Sequence, residues 1–316
     1  MITVPFTKRV LWGILFDMKT DLFFYIVVVS YRAGEKLVQT VRQVLEQKGA
    51  AFRVIVQDGA SDDGSVEMLQ EACGGDSRLS VRTEQDTGIY DAMNRALEAA
   101  AADAFRRGLH RNDAYVLFLN CGDRFADDTV LRQAAKRIGT VRNRMAMRAQ
   151  VAPSSFAPDI CYGDTCDRTT GQTVTASPKI DDFAAYRHLP CHQSCFYRLA
   201  LVAEEPFDTT WRVRADYEQF LRLKYKRHAV IVYLKMTVAD YEGGGFSETP
   251  ENAARSEQER KQIIAKYLPR EKVARYDLYR VATLQPLREK LASHPKTAGL
   301  YQRIKRRLYR GGGDDA

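Results

Sequence analysis

Apolar runs that end abruptly in polar turns set the pattern of the first half of the chain. Phe23-Phe24-Tyr25-Ile26-Val27-Val28-Val29-Ser30 is continuous in aromatic and β-branched residues, the pattern of a strand buried on both faces. Residues 34–48 then place Leu37, Val41, Val44 and Leu45 on one side of a helix. A second strand at 52–56 leads into a helix at 63–72, where Asp62 or Asp63 would cap the exposed amides. A short strand at 79–82, a helix at 89–102 and a strong strand at 114–119 continue the alternation. Three parallel crossovers in a row predict a doubly wound α/β sheet with helices on both faces.

After a helix at 127–138 the pattern loosens. The arginine-rich stretch 140–158, with its Pro153-Ser154-Ser155 turn, reads as a long loop or insertion. Strands recur near 159–162, 172–177 and 229–234, with a helix near 215–226 between the last two, so the second half is mixed and packs on the same sheet. From Asn252 the chain reads as two or three helices broken near Pro269, Pro286 and Pro295. The expected organisation is an N-terminal extension at 1–21, an α/β domain at 22–249 and a basic helical tail at 250–316.

Composition narrows the classes. The 45% hydrophobic and 28% charged content of the 316 residues is that of a globular protein with a substantial core, which argues against disorder. The net charge of +8 resides in the tail, because residues 251–310 hold 16 Lys/Arg against 6 Asp/Glu and leave the first 250 residues close to neutral. Six scattered cysteines contain no Cys-x-x-Cys pair and read as reduced thiols. The apolar stretch at 10–16 is too short to span a bilayer and lacks a cleavage site, and Met18 is an alternative start. The expected location is the cytoplasm, at the inner-membrane face if the tail binds lipid.

The polar turns carry the candidate chemistry. Asp58 ends the second strand in Gln57-Asp58-Gly59-Ala60-Ser61-Asp62-Asp63-Gly64-Ser65, where an open α/β sheet places its ligand crevice. A carboxylate there accepts an imide N–H such as that of uracil, or else it only shapes a capping loop. Asp86 and Asp91 surround the next helix start, and Asp91, Asn94 and Arg95 share one face at i, i+3 and i+4. Phe118-Leu119-Asn120-Cys121-Gly122-Asp123 ends a buried strand in a turn with a single acid, enough to anchor a hard cation that keeps phosphate and water ligands.

In this combination and order, the segments 54–65, 88–94 and 120–123 resemble the glycosyltransferase family 2 enzymes, and the likeness extends over roughly residues 22–245. The resemblance implies the GT-A fold, a Rossmann-like mixed, mainly parallel sheet with helices on both faces, here with a helical appendage. It implies an inverting enzyme that moves a sugar from a nucleotide-diphosphate sugar, UDP first among the candidates, to a hydroxyl of a glycan or lipid-linked acceptor in bacterial surface-polysaccharide synthesis. Asp58 then contacts the nucleoside, with Ser61, Asp86, Asp91, Asn94, Asn120, His192 and Gln193 also on the donor side. The turn 120–123 stands where the family's Asp-x-Asp motif binds Mn²⁺ or Mg²⁺, with Asn120 in place of the first acid and Asp123 as the metal anchor. This variant looks like a branch of bacterial surface-polysaccharide transferases. In Arg214-Ala215-Asp216-Tyr217-Glu218, Asp216 matches the acid that deprotonates the acceptor, with Glu218 second; a plain helix N-cap is the alternative.

Gly243-Gly244-Gly245-Phe246-Ser247 is either a loop that closes over the diphosphate or a hinge before the tail. The tail interleaves Lys290, Lys296, Arg303, Lys305, Arg306, Arg307 and Arg310 with apolar residues, as in a helix lying on an anionic membrane. The same basicity is the only support for nucleic-acid binding, which is not expected; a catalytically inactive sugar-nucleotide sensor is the other alternative.

Overall fold

Seven buried residues of one strand organise everything around them. In the computed structural model, which describes residues 22–168, 171–241 and 249–282, β1 (Phe23–Ser30) lies between β2 (Ala51–Asp58) and β4 (Ala114–Asn120), parallel to both. β3 (Leu79–Thr83) pairs parallel with β2 at the outside. Phe24, Ile26 and Val28 pack with Leu37, Val41 and Val44 of α1 (Glu35–Leu45), Leu69 of α2 (Ser65–Cys73) and Leu131 and Ile138 of α4 (Val130–Ala149). One residue out of phase, Tyr25 sends its hydroxyl to Asp103 of α3 (Ile89–Arg106) at 2.9 Å, so the second face of the sheet is covered too. The chain builds β1, β2 and β3 outward in one direction and then returns to place β4 on the other side of β1. The carboxyl ends of β1 and β4 therefore flank a topological switch point, where open α/β sheets form their crevice.

Beyond β4 the sheet changes direction. β8 (Cys195–Arg198) runs antiparallel to β4, β6 (Ile160–Asp167) antiparallel to β8, and β9 (Ile231–Tyr241) parallel to β6; β5 (Arg124–Phe125) closes the order β3-β2-β1-β4-β8-β6-β9-β5, and β7 (Gln172–Val174) pairs with β6. The expected continuation on the same sheet is therefore observed. Two short helices, α5 (Asp182–Arg187) and α6 (Leu199–Glu204), precede α7 (Ala215–Tyr225). The described chain ends in α8 (Pro250–Tyr267) and α9 (Arg270–Ala282), broken at Pro269 as expected. Contacts divide the chain into one unit up to Ile263 and a second from Ile264, and the site lies in the first.

The loop expected at 140–158 is a correction. α4 continues to Ala149, and one of its arginines has internal partners: Arg142, 6% exposed, pairs with Asp113 at 2.7 Å and donates to the Phe156 carbonyl at 3.1 Å. The helix ends where Gln150 turns left-handed at φ 56°, and only the short 3-10 turn Pro153–Ser155 separates it from β6. The expectations for residues 1–21 with Met18, for the Gly243–Ser247 loop and for the tail from residue 283 lie outside the described residues. All six cysteines are free, and no helix among the described residues is long and apolar enough to cross a membrane.

Candidate active site

Asp58 is fully buried at the end of β2, and its carboxylate shapes the loop that follows. Oδ2 accepts the Ser61 N–H at 2.8 Å and Oδ1 the Ser61 hydroxyl at 2.6 Å, while Ser61 Oγ accepts the Arg32 N–H at 2.8 Å. The loop is thereby fastened to the turn after β1. The expected helix cap takes a different form: Gly64 occupies the cap position, Asp63 accepts the Ser65 N–H at 3.1 Å, and Asp62 pairs with Arg32 at 2.7 Å. Gly59 makes a close approach possible, since a Cβ there would stand 2.7 Å from Asp86 Oδ2. Asp86 accepts the Gly88 N–H at 2.9 Å, and burial, with the charges of Asp91 and Asp58, pushes its pKa up.

The polar face offered by the start of α3 is largely spent on the protein. Asp91 accepts the Thr87 N–H at 2.9 Å and a hydrogen bond from Arg95 at 3.2 Å; these contacts hold its pKa below the ordinary aspartate range. Asn94 uses both ends of its amide on one residue, donating to the Phe207 carbonyl and accepting the Phe207 N–H, each at 2.9 Å. These are the bonds of a helix start and a loop anchor, and they account for both residues without a ligand.

The turn after β4 is held from three sides. Asp123 is 4% exposed, and its Oδ2 accepts from Gln193 Nε2 at 2.9 Å; Gln193 Oε1 in turn accepts from the Cys191 thiol at 2.9 Å. Gly122, at φ 105°, donates its N–H to Thr40 Oγ1 at 2.9 Å, and its carbonyl accepts from Arg168 at 3.2 Å. Asn120 Oδ1 is buried with no hydrogen-bond partner. No group of three or more His, Cys, Asp or Glu side chains assembles among the described residues, so there is no all-protein metal cage. One carboxylate and one unpaired amide oxygen in the same turn nevertheless fit a hard divalent ion that takes its other ligands from phosphate and water.

Asp216 stands in the first turn of α7, and the N-cap is Arg214, so simple capping does not explain it. The Tyr90 hydroxyl lies 2.9 Å from Asp216 Oδ1 and 2.8 Å from the Val213 carbonyl; burial and the Asp216 charge raise the phenol's pKa well above its ordinary value, which keeps it a donor. Glu218, 1% exposed, belongs instead to an ion pair with Arg222, which also holds Glu205. His192 stacks on Phe118 with ring centroids 5.0 Å apart and meets Tyr197 and Phe207 at 5.9 and 5.8 Å. Both of its nitrogens are buried without a partner, and desolvation lowers its pKa, so the ring is neutral.

The acids form one neighbourhood. The charges of Asp123 and Asp58 both reach the Cys121 thiol, and those of Asp123 and Asp216 both reach Cys191. Burial pushes both thiols up to about 12, so neither supplies a thiolate at neutral pH.

The sequence model of Glycosyl transferase family 2 matches residues 25–147, the stretch that carries Asp58, Asp91 and Asp123. Over that stretch the chain is similar to glycosyl transferase family 2. A relative, the PGL/p-HBAD biosynthesis glycosyltransferase of Mycobacterium bovis BCG, is 27% identical over 229 residues, 72% of this chain and 79% of that protein. Among solved structures, residues 1–349 of TarS from S. aureus in complex with UDP superpose with a TM-score of 0.53 at 17% identity, over 79% of this chain and 71% of that one. The transferase spans 43% of the longer TarS chain. The mannosyltransferase PcManGT of Pyrobaculum calidifontis, in complex with GDP-Man and Mn²⁺, gives a TM-score of 0.51 at 12% identity over 88% of this chain and 83% of that one. These likenesses establish the GT-A fold.

Sequence reasoning missed several parts of the candidate site. Tyr90 lay inside the segment 88–94 but was given no role there, and Phe207 carried no signal at all. Gln57, fully buried with an amide that finds no partner, was visible as a polar residue closing an apolar run. Glu259, 7% exposed on α8, lies far along the chain in a segment that reads as a solvated tail.

Proposed function

We propose that the chain catalyses inverting transfer of a sugar from a nucleoside-diphosphate donor, UDP-linked in first place, to a hydroxyl of a glycan or lipid-linked acceptor, in bacterial surface-polysaccharide synthesis. The observation that carries this reading is Asp216: its charge, like that of Asp123, reaches Cys191, it receives the Tyr90 hydroxyl, and among the described residues it is paired with no cation. In this reading Asp216 accepts the proton of the acceptor hydroxyl as that oxygen attacks the anomeric carbon. The bond from that carbon to the phosphate oxygen breaks, and nucleoside diphosphate leaves with the electron pair. Orientation of the two substrates supplies much of the acceleration.

Asp123 and Asn120 would hold Mn²⁺ or Mg²⁺, whose charge would stabilise the leaving diphosphate. Gln193 keeps Asp123 in place, and the loop that Asp58 and Ser61 shape, with Asp86 beside it, would receive the nucleoside. The solved relatives support the donor class, since one is bound to UDP and another to GDP-Man with Mn²⁺. Residues 283–316 would hold the enzyme at the cytoplasmic face of an anionic membrane, near a lipid-linked acceptor.

A thermal-shift screen of nucleotide sugars with and without Mn²⁺ tests the donor assignment: one nucleotide class should raise Tm, and no shift with any of them counts against the reading. Liposome co-sedimentation of the intact chain and of one truncated at residue 285 tests the membrane role, and equal behaviour removes it.

A further inference from the structure

Glu259 makes an unusual set of contacts for a residue of a tail helix. Its Oε1 accepts the Arg212 N–H at 3.0 Å, and its Oε2 accepts those of Val213 and Arg214 at 3.0 and 2.9 Å. Ser256, one turn earlier on α8 and 4% exposed, accepts from Arg214 Nε at 2.8 Å. Burying a carboxylate is costly, and hydrogen bonds from three consecutive main-chain donors offset that cost. No side chain caps α7 at Arg214, so this grip on the three preceding residues fixes where the helix begins.

Val213 is held at both of its main-chain groups. Glu259 takes its N–H at 3.0 Å, and the Tyr90 hydroxyl lies 2.8 Å from its carbonyl while also reaching Asp216 Oδ1. Glu259, Val213, Tyr90 and Asp216 thus form a continuous clamp around the first turn of α7. The neighbouring Arg260 pairs with Glu257, which leaves the Glu259 carboxylate to the backbone.

We propose that Glu259 is a positioning residue of the transferase, fixing Asp216 in its working geometry through residues 212–214. The inference rests on the reading of Asp216 as the base. It makes the first turns of α8 part of the catalytic machinery, although they lie beyond the stretch that matches the family. A displacement of about 1 Å at a reacting group costs on the order of 100-fold in rate, so loss of this clamp should appear in kcat.

The experiment is steady-state kinetics of the full chain carrying Glu259→Gln or Glu259→Ala, alone and with Asp216→Asn, with nucleoside diphosphate binding followed by calorimetry. Glu259→Ala should lower kcat by about 100-fold and Glu259→Gln, which keeps one acceptor oxygen, by about 10-fold, with donor KM within about twofold of wild type. In the Asp216→Asn background, Glu259→Ala should cost nothing further. Wild-type kcat in Glu259→Ala overturns the inference, as does an undiminished effect in the double variant. Loss of nucleotide binding in both Glu259 variants also overturns it, because the residue is then a general stabiliser. Full turnover by Asp216→Asn alone instead sinks the base assignment, and the two failures are told apart by that single variant.

Discussion

Gln193 Nε2 donates to Asp123 Oδ2 at 2.9 Å, tying the turn after β4 to the segment that carries His192. The bond joins an acid of the parallel half of the sheet to a residue of the later half. Groups that orient a metal-holding carboxylate typically govern affinity by 10- to 100-fold. Gln193→Ala should therefore weaken Mn²⁺-dependent nucleoside diphosphate binding by about 10-fold. Calorimetric titration with and without the metal checks this, and unchanged metal dependence would count against Asp123 as the anchor.

In the proposed reading, Asp216→Asn removes the proton acceptor and keeps the shape. Turnover should fall by at least about 100-fold, the lower end of what general-base catalysis contributes, while nucleoside diphosphate still binds. Tyr90→Phe removes only the hydroxyl that reaches Asp216 and should lower kcat by roughly 10-fold with little change in donor KM. A larger loss in Tyr90→Phe than in Asp216→Asn would reverse the order of importance.

Gly59→Ala probes the loop after β2. The added Cβ would stand 2.7 Å from Asp86 Oδ2 and 3.2 Å from Tyr31 Cδ2, so Asp86 must shift. Overpacking of this kind costs about 1–3 kcal/mol, and it should lower the urea midpoint and weaken nucleotide binding together. Unchanged nucleotide affinity would separate Asp86 from the donor site.

His192 should make stability fall on acidification. Its folded pKa lies below the ordinary histidine value, so between those two values the unfolded chain binds a proton that the folded one refuses. Its contribution is intact above about pH 6.5 and declines below it, with a slope approaching about 1.4 kcal/mol per pH unit. Urea denaturation at pH 7.5 and 5.5 checks this, and His192→Leu should reduce the difference. An equal pH dependence in that variant would place the sensitivity elsewhere.

The parallel half was legible because three of its four strands are largely apolar runs that stop at a polar residue: Ser30, Asp58 and Asn120 end β1, β2 and β4. Periodicity also revealed α1, α3 and α7. The second half was harder, because β8 has four residues and α5 and α6 six each, too few for a period to register. The length of α4 was hidden by arginines that read as loop until Asp113 and the Phe156 carbonyl supplied partners for Arg142. The site followed the same division. Asp58, Asp123 and Asp216 could be singled out one by one, but that Asn94 grips Phe207 and Gln193 grips Asp123 depends on pairings between distant stretches that no local pattern encodes.

The reversal of strand direction at β8 has a consequence for how such a protein can change. β4 and β8 meet through only two register pairs, Tyr115 with Arg198 and Val116 with Tyr197, and the rings of Phe118, His192 and Phe207 fill the seam on the way to the strand end. Asp58 and Asp123 are encoded before β8 and Asp216 after it. In the reading proposed above, nucleotide preference and acceptor preference are therefore inherited on separate lengths of gene. Exchanges that retain Gln193, whose amide holds Asp123, would alter the acceptor side while the donor chemistry is left as it was, and the aromatic seam is the junction a chimera would have to preserve.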